Sequence, residues 1–406
     1  MIDLWETYSF LLPYAAIPIV SGIVGWGTNW LAIKMTFYPI EFVGIKPIFG
    51  WQGIVPSKAA KMAEKSVDLI TSKLINVEAL FSQIEPKRVA QDLQPVLDEI
   101  MRETVNEIME KEAPLVWYAT PNMAKEIIFK RAMTQMPEVA EEMMADIRDN
   151  IDEFLDVKGL VVEHLTADKA LTNEIFLRCG AEEFKFIERS GMYFGFFFGL
   201  IQSLIWYFVN PWWLLPVGGV IVGWATNWLA LKMIFNPKEE INFLGMKIQG
   251  LFIKRQREVA TEYAKIISVK VLTVERMFDR IFRGKASDKL VTMLHEHVEH
   301  AIDEQAGLSK PIYAIFAGKS KYDELKNLAA DRFVEAIPRS MQGTFQYAHD
   351  AIDLETTMRE KMIQLSPVEF EGVLRPAFQE DEWILILVGA VLGGMAGVGQ
   401  LLFLFS

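Results

Sequence analysis

Residues 216–237 read PVGGVIVGWATNWLALKMIFNP, and residues 18–39 read PIVSGIVGWGTNWLAIKMTFYP. The two stretches align without a gap at a spacing of 198 positions, which places Asn29 on Asn227. A similarity this long and ungapped does not arise by chance, and an internal repeat determines the architecture of a chain. We therefore predict a tandem duplication of one structural unit.

The repeated stretch is also apolar enough to cross a membrane. No residue is charged from Tyr14 to Ile33 or from Trp212 to Leu231. About 20 such residues rise about 30 Å as a helix, which is the thickness of the hydrocarbon core of a bilayer. Two further apolar segments complete a set of four predicted membrane spans, which are 11–33, 191–209, 212–233 and 384–405.

Basic residues avoid the spans and concentrate in the two long polar regions between them. The chain has no Lys or Arg before Lys34, none between Arg189 and Lys232, and none after Arg375. Because a short turn joins the second and third spans, both polar regions lie on one side of the membrane. The positive-inside rule places that side in the cytoplasm and both termini outside. The predicted domains are repeat 1 at 1–209, with a cytoplasmic arm at 39–190, and repeat 2 at 210–406, with an arm at 237–383.

The polar regions carry the period of amphipathic helices. Apolar residues recur at spacings of three and four from Ser57 onward, and the clearest helix extends from Glu138 to Leu155. The segment after the first span is rich in Gly, Pro and aromatic residues, which indicates an extended or hairpin-like structure at the inner membrane interface. The predicted fold is an all-α membrane protein with a tandem parallel repeat, four transmembrane helices and two long cytoplasmic helical arms.

Composition excludes several classes of protein. Of the 406 residues, 51% are hydrophobic and 23% are charged, which is too apolar for an ordinary soluble protein and too charged for one lying wholly in lipid. The net charge of -12 argues against nucleic acid as a partner. The single cysteine, Cys179, excludes an internal disulfide and fits a reducing compartment.

Small and polar residues inside the spans predict close packing between helices. Each repeated stretch carries a Thr-Asn pair, and the second and fourth spans carry glycine at every fourth residue, followed by a glutamine. Such glycines let a second helix approach closely, and an amide side chain can hydrogen-bond a neighbouring helix. A conduction path is the alternative interpretation. The residues concerned are Thr28, Asn29, Thr226, Asn227, Gly191, Gly195, Gly199, Gln202, Gly389, Gly393, Gly397 and Gln400.

Basic residues beyond the Thr-Asn pairs are candidate contacts for lipid headgroups. Lys34 and Lys232 follow the pairs by about one helical turn, so that their side chains can extend to the interface. The cluster of Lys254, Arg255 and Arg257 is suited to lipid phosphates. Ordinary flanking charges at the start of a helix are the alternative for this cluster.

A Pro-aromatic patch lies near the middle of each arm. If an arm runs out from the membrane and back, its midpoint is the distal end, and an apolar tip there is a candidate assembly site. A buried corner between helices is the alternative. The residues of the patch are Pro114, Trp117, Tyr118, Pro311, Tyr313 and Phe316.

Three motifs carry a resemblance to a known family. They are GWGTNWLAIKMTFYP at 25–39, GWQGIVPSKAAKMA at 50–63, and SPVEFEGVLRPAFQEDEW at 366–383, which precedes a glycine-rich final span. With these motifs the chain resembles the DUF445 family of bacterial membrane proteins, which includes proteins of the YheB type. The resemblance covers essentially the whole chain and implies a bacterial inner-membrane setting, but no activity. The second half departs from the GWQGIVPSK motif, because it has no proline at the matching position.

The sequence offers few groups for catalysis. It contains no phosphate-binding glycine loop and no nucleophile elbow. His295, His297 and His300 form the one dense cluster of ligand-type side chains, for which a zinc site and a solvated helix face are the two interpretations. We favour the solvated face and predict no metal and no cofactor, because the cluster is not repeated in the first half.

These observations predict a non-enzymatic, multi-pass protein of the bacterial inner membrane whose partners are lipids and further copies of itself. We predict a self-associating scaffold that organises or shapes the membrane. The alternative is a transporter or lipid-handling protein with a path between the repeats. That alternative requires a continuous cavity near Asn29, Asn227, Gln202 and Gln400.

Overall fold

The computed structural model of the chain describes residues 2–45, 49–112, 114–134, 136–209, 211–243, 246–306, 319–375 and 382–404, with the backbone alone for residues 2–13. Of the residues that the structure describes, 84% are helical, which confirms the all-α class. The first half contains α1 (Ile2–Phe37), β1 (Val43–Ile45), β2 (Phe49–Trp51), α2 (Ile54–Ser57), α3 (Ala59–Leu69), α4 (Val77–Phe81), α5 (Pro86–Glu112), α6 (Pro114–Ala119), α7 (Asn122–Met133), α8 (Met136–Asp149), α9 (Ile151–Phe154), α10 (Val157–Ala167), α11 (Lys169–Cys179) and α12 (Ala181–Phe208).

The second half follows a similar order. It contains α13 (Leu214–Phe235), β3 (Ile241–Phe243), β4 (Met246–Ile248), α14 (Leu251–Lys254), α15 (Gln256–Ile266), α16 (Val274–Arg283), α17 (Ser287–Ala306), α18 (Lys319–Ser340), α19 (Phe345–Ile352), α20 (Leu354–Gln364), α21 (Pro367–Leu374) and α22 (Glu382–Leu404).

Within the described residues, four helices are long and apolar enough to cross a membrane, as the sequence predicted. They are Tyr14–Phe37 within α1, Ala181–Phe208 (α12), Leu214–Phe235 (α13) and Glu382–Phe403 within α22. Helix α12 begins at Ala181, ahead of the predicted span start at 191, because the helix continues without a break through the polar residues that precede the apolar segment.

These four helices form a bundle, called here the span bundle. Helix α1 packs along α12, and α13 packs along α22; α12 also contacts α13, and α1 contacts α22. Residues 18, 21 and 25 of α1 lie against residues 199, 195 and 191 of α12, so these two helices are antiparallel. Helices α12 and α13 form a hairpin, which makes α1 and α13 parallel to each other.

A two-stranded antiparallel hairpin follows each of the parallel spans. In the first, Val43 pairs with Trp51 and Ile45 with Phe49. In the second, β3 pairs with β4, and Ile241 lies opposite Ile248. The hairpin-like segment indicated by the Gly- and Pro-rich sequence is therefore present, and it occurs in both halves.

Contacts divide the chain into two compact units. Unit 1 comprises Met1–Ile70, Val161–Ile266 and Met358–Ser406, and unit 2 comprises Thr71–Leu160 and Ile267–Thr357. Each unit contains segments from both halves of the chain. The predicted repeats at 1–209 and 210–406 concern the sequence, and they remain a prediction.

Within unit 1, helices of the two halves pack on each other reciprocally. Helix α11 of the first half contacts α15 of the second, and α21 of the second half contacts α3 of the first. An ion pair between Arg178 Nη2 and Glu262 Oε2, 2.8 Å long, joins α11 to α15. Each half therefore completes the packing of the other.

Unit 2 has one apolar core built from both predicted arms. Helix α5 packs on α8 and α18, and α17 packs on the same two helices. The buried stripe of α17 consists of Leu290, Leu294 and Val298, which recur at the four-residue spacing of one helix face. The sequence left open whether the arms pack together, and in unit 2 they do.

The helix predicted from Glu138 to Leu155 is broken at Asn150. The Asn150 side chain donates a hydrogen bond from Nδ2 to the carbonyl oxygen of Asp146 at 2.9 Å. The Asn150 backbone leaves the helical region, with φ -116° and ψ 23°, so that α8 ends at Asp149 and α9 begins at Ile151. The apolar residues that share one face of the predicted helix are nevertheless buried, and they are Met143, Ile147, Ile151 and Phe154.

Candidate functional site

The predicted glycine ladder lies at the two tightest helix contacts of the span bundle. A methyl group built on Gly25 or Gly191 would meet the backbone of the other residue, well inside van der Waals contact. Gly195 and Gly199 lie against Ser21 and Pro18 in the same way. Only a residue without a side chain permits this approach of α1 to α12, as expected for small-residue packing in membranes.

The second pair of spans repeats this arrangement. Gly389 of α22 lies against Gly223 of α13, and Gly393 lies against Gly219. A methyl group on Gly397 would meet the carbonyl oxygen of Leu215 and the Cα of Pro216. Matching glycines therefore hold α12 against α1 and α22 against α13.

The Thr-Asn pairs connect the same helices by hydrogen bonds. Asn29 Nδ2 donates to the carbonyl oxygen of Ile187 at 2.7 Å, and Asn227 Nδ2 donates to that of Leu385, also at 2.7 Å. Both asparagines are buried. The threonines bond within their own helices instead, from Thr28 Oγ1 to Gly25 O at 3.1 Å and from Thr226 Oγ1 to Gly223 O at 3.3 Å.

The two glutamines lie at the centre of the span bundle. Gln400 Nε2 donates to Ser21 Oγ at 3.3 Å, and Gln202 Nε2 donates to the carbonyl oxygen of Leu215 at 3.4 Å. The space between them, which Thr28 also lines, has a volume of about 20 Å³. A cavity of this size holds about one water molecule, whereas pockets for small-molecule ligands measure about 300–1,000 Å³.

The predicted headgroup lysines sit beside exposed tryptophans. Lys232 Nζ lies 4.6 Å from the ring centroid of Trp228, and Trp228 stacks on Trp224 with 5.8 Å between centroids. Lys34 Nζ lies 5.4 Å from the ring of Trp30 in the other repeated stretch. The tryptophans were missed as site residues, although their four-residue spacing before each lysine was visible in the sequence.

The basic cluster after the second hairpin separates into two environments. Lys254 and Arg257 are exposed, as contact with lipid phosphates requires. Arg255 instead pairs with Glu183 and with Glu258, both at 2.8 Å, and the Glu183 side chain is only 4% exposed. Burial disfavours the charge on Arg255, but its hydrogen bonds to Glu258 and Glu183 outweigh that effect and raise its pKa.

The first Pro-aromatic patch contains one buried and several exposed residues. Trp117 is 1% exposed and donates from Nε1 to Asn106 Oδ1 at 3.2 Å, while Pro114 lies at the surface. Four large apolar side chains are exposed on α6 and α7, and they are called here the α6–α7 surface: Leu115, Tyr118, Met123 and Ile127. Pro311, Tyr313 and Phe316 lie outside the described residues.

The three histidines of α17 have separate acidic partners. His297 Nε2 lies 2.7 Å from Asp146 Oδ2, and His295 lies between Glu299 and Asp331 at 3.1 and 3.4 Å. His300 is largely exposed. Within the described part of the chain, no group of three or more His, Cys, Asp or Glu side chains is placed to hold a metal ion.

Comparison with known proteins finds similarity to membrane proteins of bacteria. The chain is 30% identical over 88 residues to a UPF0754 membrane protein of Bacillus pumilus, covering 21% of this chain and 23% of the relative. It is 23% identical over 155 residues to a UPF0754 membrane protein of Staphylococcus carnosus, covering 37% of this chain and 41% of the relative. It is 38% identical over 76 residues to a UPF0754 membrane protein of Synechococcus elongatus, covering 18% of this chain and 17% of the relative. Each match therefore spans less than half of the relative's length.

These relatives confirm the resemblance to the DUF445 family. Together with the four apolar helices, they identify the chain as similar to integral membrane proteins of bacteria. No family model matches the chain, and no solved structure matches it.

Proposed function

We propose that the chain is a non-enzymatic structural protein of the bacterial cytoplasmic membrane, which self-associates and thereby organises or shapes the bilayer. In this proposal the two halves descend from one duplicated unit. Both arms lie in the cytoplasm, and both termini lie outside. Matching Asn29 and Asn227 hydrogen bonds and matching glycine contacts support the duplication.

The narrow, largely filled centre of the span bundle is the observation that carries the proposal. The polar residues expected along a path, Gln202 and Gln400, donate to protein groups beside a space of about 20 Å³. A bundle filled by its own side chains suits a fixed element of architecture. The alternative, a transporter or lipid-handling protein, requires a second arrangement of the same helices with an open centre.

The α6–α7 surface is the proposed site of self-association. Its four side chains are between 62 and 87% exposed, and exposed apolar patches mark contact sites between proteins. Assembly of copies through unit 2 would gather their span bundles in the membrane. The proposal thus connects an exposed apolar surface to the organisation of the bilayer.

Particle mass in mild detergent or lipid nanodiscs tests the proposal. The unaltered chain is expected to run as a defined oligomer, and the double substitution Leu115→Glu, Met123→Glu is expected to shift it toward single chains. Val291→Glu is the matched control, because Val291 is an exposed apolar residue of unit 2 on α17. A particle of single-chain mass for the unaltered protein at all concentrations would overturn self-association.

A further inference from the structure

The two β-hairpins expose apolar side chains on one face. In an antiparallel pair, directly opposed residues project to the same side. The register therefore places Val43, Ile45, Phe49 and Trp51 on one face of the first hairpin, and glycines occupy the alternate positions. Val43, Ile45 and Phe49 are 63, 75 and 77% exposed.

The second hairpin has the same character. Ile241 and Ile248 are opposed in the register and are 53 and 41% exposed. The polar pair Asn242 and Lys247 occupies the alternate position, on the opposite face. The apolar face of each hairpin is thus exposed in unit 1, and in the second hairpin the opposite face is polar.

Hydrogen bonds hold each hairpin at the end of a membrane span. Trp51 Nε1 donates to the carbonyl oxygen of Met35, in the last turns of α1, at 3.1 Å. The backbone N–H of Gly53 donates to Pro39 O, and that of Gly250 donates to Pro237 O, each at 2.9 Å. Because α1 and α13 are parallel, both hairpins lie at the same end of the span bundle.

We propose that both hairpins insert their apolar faces into the interfacial layer of the bilayer, in the leaflet where α1 and α13 end. Only five residues separate the end of α1 at Phe37 from Val43, and five separate the end of α13 at Phe235 from Ile241, so the lipid around the end of each span lies close to its hairpin. Exposed Lys34 and Lys232 mark the headgroup level next to both hairpins. Apolar side chains held in this layer lie about 5–10 Å deep in one leaflet.

This inference deepens the proposed function, because an insertion confined to one leaflet is a means of bending the membrane. The biological role of the insertion rests on the proposed membrane-organising function, whereas the structural argument for it uses only residues of unit 1. Its test is therefore independent of self-association.

Lipid-borne quenching of a fluorophore tests the insertion. Single cysteines are introduced as Phe49→Cys and Ile241→Cys in a Cys179→Ala chain, labelled, and reconstituted in phosphatidylethanolamine–phosphatidylglycerol vesicles with or without lipids carrying a nitroxide near the headgroup. Both labels are expected to lose emission about twofold, since interfacial segments lie about 5–10 Å deep, within reach of such a quencher. Val291→Cys, an exposed apolar position of unit 2, is the control and is expected to stay bright.

Two results would overturn the inference. Hairpin labels that are quenched no more than the Val291 label would show that the faces do not touch lipid. If the emission of the hairpin labels instead changed with the density of protein in the vesicles and did not respond to nitroxide lipid, the faces would be assigned to contacts with a second copy of the chain. Neither result would change the particle mass that tests self-association, so the two proposals fail separately.

Discussion

Alanine at Gly397 is expected to force α22 away from α13. The added methyl group would meet the carbonyl oxygen of Leu215 and the Cα of Pro216, and both are backbone atoms that cannot turn aside. Two positions further along α22, a methyl group on Gly399 would have no heavy atom within 4 Å. The two substitutions are therefore chemically identical and differ only in what the new group meets.

Two opposing contributions determine how much each substitution changes the free energy of unfolding. Replacing glycine by alanine inside a helix stabilises it by about 0.5–1 kcal/mol, and this gain applies to both variants. Overpacking costs about 1–3 kcal/mol, and it applies to Gly397→Ala alone. Because the helix contribution cancels, the two variants are expected to differ by the overpacking cost, with Gly399→Ala the more stable.

The free energy of unfolding is measured by denaturant titration in detergent micelles, followed by circular dichroism. Gly25→Ala and Gly27→Ala provide a second matched pair in α1, because Gly25 faces the Gly191 backbone and Gly27 has no heavy atom within 4 Å of an added methyl group. Equal stabilities within each pair would refute the inference that these glycines set the distance between the spans.

Three further predictions concern unit 1. Arg255→Ala is expected to lower the free energy of unfolding by about 3 kcal/mol, because it leaves the buried carboxylate of Glu183 without its cation. Arg257 is exposed, so Arg257→Ala is expected to change the free energy of unfolding by less than about 0.5 kcal/mol. Equal losses for the two variants in denaturant titrations would contradict this prediction. Asn227→Ala is expected to cost about 0.6–1.7 kcal/mol through the lost bond to α22, and no loss in the same titration would count against that bond. Burial raises the pKa of Cys179 from 9.0 to about 12, so the contribution of this thiol to stability is constant below pH 9 and is lost between pH 9 and 12, where only the unfolded thiol is ionised. At pH 9 the native thiol should react with iodoacetamide far more slowly than the unfolded one, and equal rates would show that Cys179 is accessible.

The spans and their glycine contacts were accessible to sequence reasoning because they depend on local properties. Length and the absence of charge identify a membrane helix, and a four-residue spacing of glycine identifies the face on which it packs. Hairpin formation was indicated by a local excess of Gly and Pro in the same way. These features required no knowledge of which helices meet.

Contacts between distant segments were not accessible in this way. Arg255 and Glu183 are separated by 72 positions, and the sequence around either residue does not indicate that the other is its partner. Arg255 was therefore grouped with Lys254 and Arg257 as a lipid contact, although it pairs with a buried carboxylate. The packing of the arms on each other was left open for the same reason, since an amphipathic stripe shows that a face is buried but not against what.

The reciprocal packing of α11 on α15 and of α21 on α3 has a consequence for biosynthesis. While the ribosome is still making the second half, α3 and α11 have been synthesised, but the surfaces that will cover them do not yet exist. We therefore expect a nascent first half to bind chaperones and to be open to proteases until translation has passed α21. Fragments made separately from a chain cut between α12 and α13 should each be degraded alone and rescued when produced in the same cell.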